Sequence, residues 1–179
     1  LGPPGTGKTT TLLNLVDEFL KDGIRPRQIG YFSFTKKAAT EAATRAADKF
    51  GLDIENDLPF FRTLHSYAFN QLGMTKEKMM KVDDYKEFGK KCGIPIKTAK
   101  FSNDDGTFNS DNEYLTIINT AAVKRMDLLE YYDSRKNILD IERNTLFLLA
   151  EELNRFKKEK GLKDFNDLIE DFLLKETFN

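Results

Sequence analysis

The sequence predicts an α/β chain in which a parallel sheet carrying a phosphate-binding loop is interrupted by a mainly helical insertion. Three observations carry that reading. Gly2 through Thr9 follow the pattern G-x-x-x-x-G-K-T and run directly into a periodic helix. Two runs of β-branched and aromatic residues further on each pass into a helix. The charged middle of the chain repeats its apolar residues at helical spacing.

A length of 179 residues fits one domain, or one domain with a sizeable insertion. With 40% hydrophobic and 32% charged residues the chain is neither a disordered tail nor a membrane bundle. Its 28 basic and 29 acidic residues nearly cancel, so a polyanion must be met by a local basic surface. One cysteine, Cys92, closes no internal disulfide, and with the single histidine it makes no structural zinc site. That usage fits a reducing, intracellular (cytoplasmic) setting. The longest apolar run, Leu146 to Ala150, is far short of the roughly 20 residues of a membrane span, and no export signal is visible. No membrane partner is expected. Because Leu1 opens directly on the loop, with no initiator Met and no preceding strand, the chain reads as a piece of a longer protein.

Gly5 and Gly7 let successive backbone N–H groups turn inward and form an anion nest. Lys8 places an ammonium against the β- and γ-phosphates of a nucleoside triphosphate, and the Thr9 hydroxyl can ligate the Mg2+ that bridges them. The helix that follows presents its positive N-terminal end to the same phosphates. Leu12, Leu13, Val16, Phe19 and Leu20 recur at its period, and Asp22-Gly23 ends it.

Gln28 to Phe34 reads as a buried strand ending at Thr35. The next helix shows an alanine face, Ala38, Ala39, Ala42, Ala43, Ala46 and Ala47, small enough to approach a sheet closely. An aromatic ring, a hydroxyl and two lysines delivered to a helix N-terminus suit a phosphodiester backbone with a base stacked on the ring. Phe60 to Phe69 is a second strand passing into a helix, which clusters Thr63, His65 and Ser66 at the junction. His65 reads there either as a hydrogen-bonding cap beside core aromatics or as part of a binding track.

Together these residues resemble the superfamily 1 DNA helicases of the UvrD/Rep/PcrA type. Gly2-Pro3-Pro4-Gly5-Thr6-Gly7-Lys8-Thr9 looks like their motif I, and Phe34-Thr35-Lys36-Lys37-Ala38-Ala39-Thr40-Glu41-Ala42 is similar to motif Ia. Thr63-Leu64-His65-Ser66 resembles motif Ib, and Asp164-Phe165-Asn166-Asp167-Leu168-Ile169 the segment before motif II. The resemblance implies a P-loop NTPase (RecA-like) fold and the cofactors ATP and Mg2+. Gly5, Thr6, Gly7, Lys8, Thr9 and Thr10 would hold the nucleotide, Lys8 and Thr9 would be catalytic, and Thr9 would be the metal ligand. It further implies that Phe34 packs near or stacks on a single-stranded base, that Thr35 and Lys36 touch the backbone, and that Thr63, His65 and Ser66 continue the track. Position 36 is commonly Asn in the family; Lys36 is charged, which favours a phosphate contact. Single-stranded DNA and a duplex junction are the implied partners, and 3′ to 5′ movement the implied polarity. The family's adenine-reading glutamine, its D-E pair and its arginine fingers have no counterpart here, so the piece alone should hardly turn nucleotide over.

The resemblance assigns residues 1–72 to the first part of an ATPase core (subdomain 1A), 73–160 to an inserted helical subdomain, 1B, and 161–179 to the return to the core, ending before motif II. Leu146, Leu149, Leu153 and Phe156 form one stripe, leaving Glu151, Glu152, Arg155, Lys157 and Lys158 to face water. A second helix runs from about Tyr114 to Tyr132, with Leu115, Ile118, Ala122, Met126 and Leu129 in register. The lysines from Lys76 to Lys100 read equally as a duplex-facing patch and as a solvated face. Ser102 to Thr107 looks briefly like a calcium loop but fails on register, so a turn between two short segments is preferred. Two other functions remain open: another loop-type phosphotransferase of the nucleotide-kinase kind, and a non-catalytic nucleic-acid or protein-binding module.

Overall fold

A computed structural model describes residues 8–101, 108–136 and 140–177. Most of them are helical, and two small sheets complete a mixed α/β architecture. The chain divides into two compact units, the division falling between Tyr67 and Ala68. None of the described helices is long and apolar enough to cross a membrane.

The first unit runs α1 (Lys8–Lys21), β1 (Tyr31–Ser33), α2 (Lys36–Phe50), α3 (Ile54–Asp57), β2 (Phe61–Thr63) and the first half of α4 (Leu64–Gln71). β1 and β2 pair in parallel, with Tyr31 opposite Phe61 and Ser33 opposite Thr63. Side chains alternate across a strand, so Tyr31 and Phe61 face α2 while Phe32 and Arg62 face away. The alanines at 39, 42, 43 and 46 are buried and let α2 lie close on this ribbon. Leu13, Val16, Ile29, Leu58 and Phe61 close the core, and the Tyr31 and Phe61 rings stack at 5.3 Å.

Three details depart from the expectation. The strand is shorter than Gln28 to Phe34, because Pro26–Gln28 forms a 3-10 turn first. It is also not buried: Phe32 is 47% exposed and Phe34 87%. The reason is geometric, since among the described residues β1 has a partner on one edge only and α2 covers one face. Leu12 and Phe19 share the period of Leu13 and Val16 but lie outside the stripe facing the core, and they too are exposed.

The second unit contains the rest of α4, then α5 (Val82–Lys91), β3 (Ala99–Phe101), β4 (Phe108–Ser110), α6 (Glu113–Val123), α7 (Leu128–Asp133), α8 (Arg143–Lys160) and α9 (Phe165–Thr177). β3 and β4 pair antiparallel; residues 102–107, where the turn was expected, lie outside the described residues. The core joins Phe88, Leu115, Leu149, Leu153 and Phe156 to a stacked pair, Tyr85 on Phe108 at 3.7 Å. A helix spanning Tyr114 to Tyr132 does not form. It breaks after Val123, where Arg125 takes φ 53° and the Asp127 carboxylate accepts from Leu129 N and Glu130 N, both at 3.0 Å, starting α7 anew.

The predicted stripe on α8 is present, with Leu146, Leu149, Leu153 and Phe156 all buried. Lys157 is the correction. It was expected to face water and is only 7% exposed, because α9 folds back over this turn and supplies two carboxylates. The fold-back is made at Gly161, which ends α8 at φ 65°, a left-handed conformation that a side chain would strain. Lys163 N then donates to Lys78 O and Lys163 O accepts from Met80 N, each at 2.8 Å, tying the segment before α5 to the segment before α9.

Candidate nucleic-acid interface

Parallel pairing places the C-terminal ends of β1 and β2 side by side, and each strand hands directly to a helix. At the first junction Thr35 is the N-cap of α2, its Oγ1 accepting from Ala38 N at 3.1 Å. Ser33 Oγ donates to Thr35 O at 2.7 Å and fixes the turn. At the second, Thr63 Oγ1 accepts from Ser66 N at 3.2 Å and caps α4 in the same way. Threonine suits both places, because its oxygen satisfies one of the N–H groups that a helix start leaves without a partner.

A hydroxyl that accepts in a cap still has a proton to donate. No described group takes the proton of Thr35 or Thr63, so both can donate to an anion at this edge. The N-terminal ends of the two helices add positive potential there. Lys36 is exposed at the start of α2, Ser66 is exposed in the first turn of α4, and His65 is half-buried. Phe34 projects from the same junction as the most exposed large apolar side chain described. The structure therefore brings Phe34, Thr35 and Lys36 together with Thr63, His65 and Ser66 on one sheet edge, although the two groups lie far apart in sequence.

The nucleotide residues divide differently. Gly5, Thr6 and Gly7 lie outside the described residues, as do the side chains of Lys8 and Thr9. The backbone of Lys8, Thr9 and Thr10 forms the first turn of α1, and Thr10 is exposed.

Some residues at this edge escaped the sequence reading. Phe32 packs against Tyr67 at 5.0 Å between ring centroids, and Tyr67 meets Phe60 edge-on at 5.7 Å. Gly30 makes room for this group, since a Cβ there would stand 2.9 Å from the Phe32 ring. Arg62 sits beside Phe32 on the neighbouring strand, its Nε buried without a hydrogen-bond partner among the described residues. The alternation of Tyr31, Phe32 and Ser33 against Phe61, Arg62 and Thr63 is the signal that finds them. In the second unit the lysines at 76, 78, 81, 86, 90, 91, 97 and 100 are all exposed. Among the described residues no group of three or more His, Cys, Asp or Glu is placed to hold a metal ion.

Two parallel strands, each passing directly into a helix, make the first unit a mixed α/β structure. A comparison with known families narrows the class. The UvrD/REP helicase N-terminal domain matches residues 1–176, and the chain belongs to that family. No curated protein and no solved structure gave a match.

Proposed function

We propose that this chain is the front part of an ATP-dependent DNA helicase and translocase, of the P-loop NTPase (RecA-like) fold, acting inside the cell in DNA repair or replication. Residues 1–72 are the first part of its ATPase subdomain 1A, 73–160 the helical subdomain 1B, and 161–179 the start of the return to the ATPase core. Membership of the helicase family supports the reading. The observation that carries it further is the shared edge, where the ends of β1 and β2 gather an exposed ring, two hydroxyls, a lysine and two helix N-termini.

On this reading Phe34 stacks on a base, and Thr35, Lys36, Thr63, His65 and Ser66 hold phosphates of the same strand. Neutral donors and helix ends hold the backbone without reading sequence, which suits a protein that tracks along DNA. Gly5, Thr6, Gly7, Lys8, Thr9 and Thr10 bind ATP, with Thr9 on Mg2+; bound there, ATP supplies the free energy of γ-phosphate hydrolysis. Lys8 and Thr9 are the catalytic residues on this chain. The polarity is 3′ to 5′, and single-stranded DNA beside a duplex junction is the substrate.

ATP hydrolysis, measured with and without single-stranded DNA on the longest gene product containing these residues, tests the proposal, with Lys8→Ala as control. Strong stimulation by single strands that the substitution abolishes is expected. Robust hydrolysis indifferent to DNA would overturn the helicase reading in favour of a small phosphate acceptor. Nucleotide affinity unchanged by Lys8→Ala would remove both enzyme readings and leave a binding module.

A further inference from the structure

We propose that the second unit holds a binding site for a small organic cation, an ammonium or amidinium carried on an apolar body, in the cleft that α6, α7, α8 and α9 line. The site lies wholly within that unit and does not depend on the reading of the nucleic-acid edge. The cleft has a volume of about 250 Å³. An apolar cavity of roughly 150 Å³ takes a benzene ring, so this cleft has room for a ring or short chain together with a polar head. Its wall is apolar, with Leu115 and Ile118 on α6, Leu128 at the start of α7 and Leu153 on α8. Met126, at the break between α6 and α7, adds a side chain that adapts to the shape of what it meets.

The charges in the cleft do not balance. Asp164, Asp167 and Glu170 bring three carboxylates to it against one ammonium, Lys157, an excess of two negative charges. Lys157 Nζ lies 2.8 Å from Asp164 Oδ2 and 2.8 Å from Asp167 Oδ1, so its charge is already held by those two. Glu170, one turn further along α9, is exposed and has no hydrogen bond or ion pair among the described residues. Asp167 accepts from Lys157 Nζ through Oδ1 and from Asp164 N through Oδ2, which leaves acceptor sites of that carboxylate unused. Asn166 Nδ2 donates to Asn119 Oδ1 at 2.7 Å, and its own Oδ1 is a further acceptor in the lining. An anion here meets like charge, and a neutral apolar molecule leaves Glu170 unanswered. A cation on an apolar body uses both halves, its body against the α6 and α7 side chains and its head between Asp167 and Glu170.

The test is the binding of benzamidine, an amidinium on a benzene ring, to the whole chain, titrated by nuclear magnetic resonance beside its isosteres benzamide and benzoate. Benzamidine is expected to bind about tenfold more tightly than benzamide, the difference between a charge-assisted and a neutral hydrogen bond, with benzoate the weakest. Glu170→Gln should weaken benzamidine by roughly two- to fivefold, as the loss of an exposed charge pair does, and leave benzamide unchanged. Ala122 lines the cleft and is exposed, so Ala122→Phe fills it without entering the core and should abolish binding of benzamidine and benzamide alike. Benzamide or benzoate binding as tightly as benzamidine would overturn the proposal, as would failure of all three to bind. Benzamidine affinity unchanged in Ala122→Phe would place the cation elsewhere on the chain and overturn it too. Glu170 is exposed, so Glu170→Gln reports on the site even where Ala122→Phe does not fold, and wild-type affinity for benzamidine in that variant would count against the proposal in the same way.

Discussion

The corner that begins α9 and the corners that begin α2 and α4 are capped alike and finished in opposite ways. At α9 two carboxylates cap the helix and close onto Lys157, so every charge at the corner is answered from within the chain. At α2 and α4 single threonines cap the helices, and the rest of the junction looks outward, with Phe34 87% exposed and Lys36 exposed beside it. A cap serves stability in both places. What separates a structural corner from a binding edge is whether the remaining polar and aromatic groups are satisfied by the chain or left for something else.

Lys157→Met opens the closed corner at the start of α9. Removing one partner from a buried ion cluster leaves two carboxylates without their counter-ion, a loss of about 3–5 kcal/mol. Urea unfolding should show the midpoint falling by that measure, and a loss under about 1 kcal/mol would place the corner with ordinary surface pairs. The same cluster predicts a pH dependence. Burial pushes the Lys157 ammonium down, but Asp164 and Asp167 outweigh it, and the group titrates above the ordinary lysine value. Burial, and then the same two carboxylates, push the Tyr85 phenol up. Both groups thus hold their protons longer folded than unfolded, so their contribution is complete below about pH 10 and is lost as pH rises beyond it. Stability followed from pH 7 to 11 should be flat and then fall, and Lys157→Met together with Tyr85→Phe should flatten the alkaline limb.

Phe34→Ala probes the open corner from the other side. A side chain so exposed contributes little to folding, so stability should stay within about 0.5 kcal/mol. Stacking on a base contributes about 1–3 kcal/mol, so affinity for single-stranded DNA should drop by roughly five- to a hundredfold. The inner aromatic of the same ribbon, Phe61, should behave in reverse, with Phe61→Ala costing about 3–5 kcal/mol of stability. Loss of stability rather than binding in Phe34→Ala would make the two corners alike.

These two corners were not equally legible in the sequence. Phe34, Thr35, Lys36, Thr63, His65 and Ser66 could be named because a local pattern, strand then cap then helix, carries them, and two parallel strands then bring the groups together. The stripe on α8 was legible for the same reason, being a single period. Lys157 was not, because its burial is decided by Asp164 and Asp167 beyond the turn at Gly161, and a window centred on α8 assigns a lysine beside Lys158 to water. Likewise the strand carrying Phe32 was read as buried, since a run of aromatics says nothing about how many faces of a strand are covered. The break at Val123 hinged on Asp127 capping a new helix, a local signal outweighed by the apolar period running through it.

The finest distinction between the corners is the double duty assigned to Thr35, and Thr35→Asp separates its two halves. Aspartate is at least as good an N-cap as threonine, so its carboxylate can accept from Ala38 N and keep α2 within about 0.5 kcal/mol of its present stability. Thr35→Ala should cost about 1 kcal/mol by losing the cap. Toward DNA the order reverses. Alanine removes one neutral donor, whereas aspartate removes that donor and sets a negative charge where a phosphate would lie, so Thr35→Asp should bind single strands more weakly than Thr35→Ala while unfolding later. Equal DNA affinities in the two variants would mean that no phosphate approaches the cap, and Thr35 would serve only to start its helix.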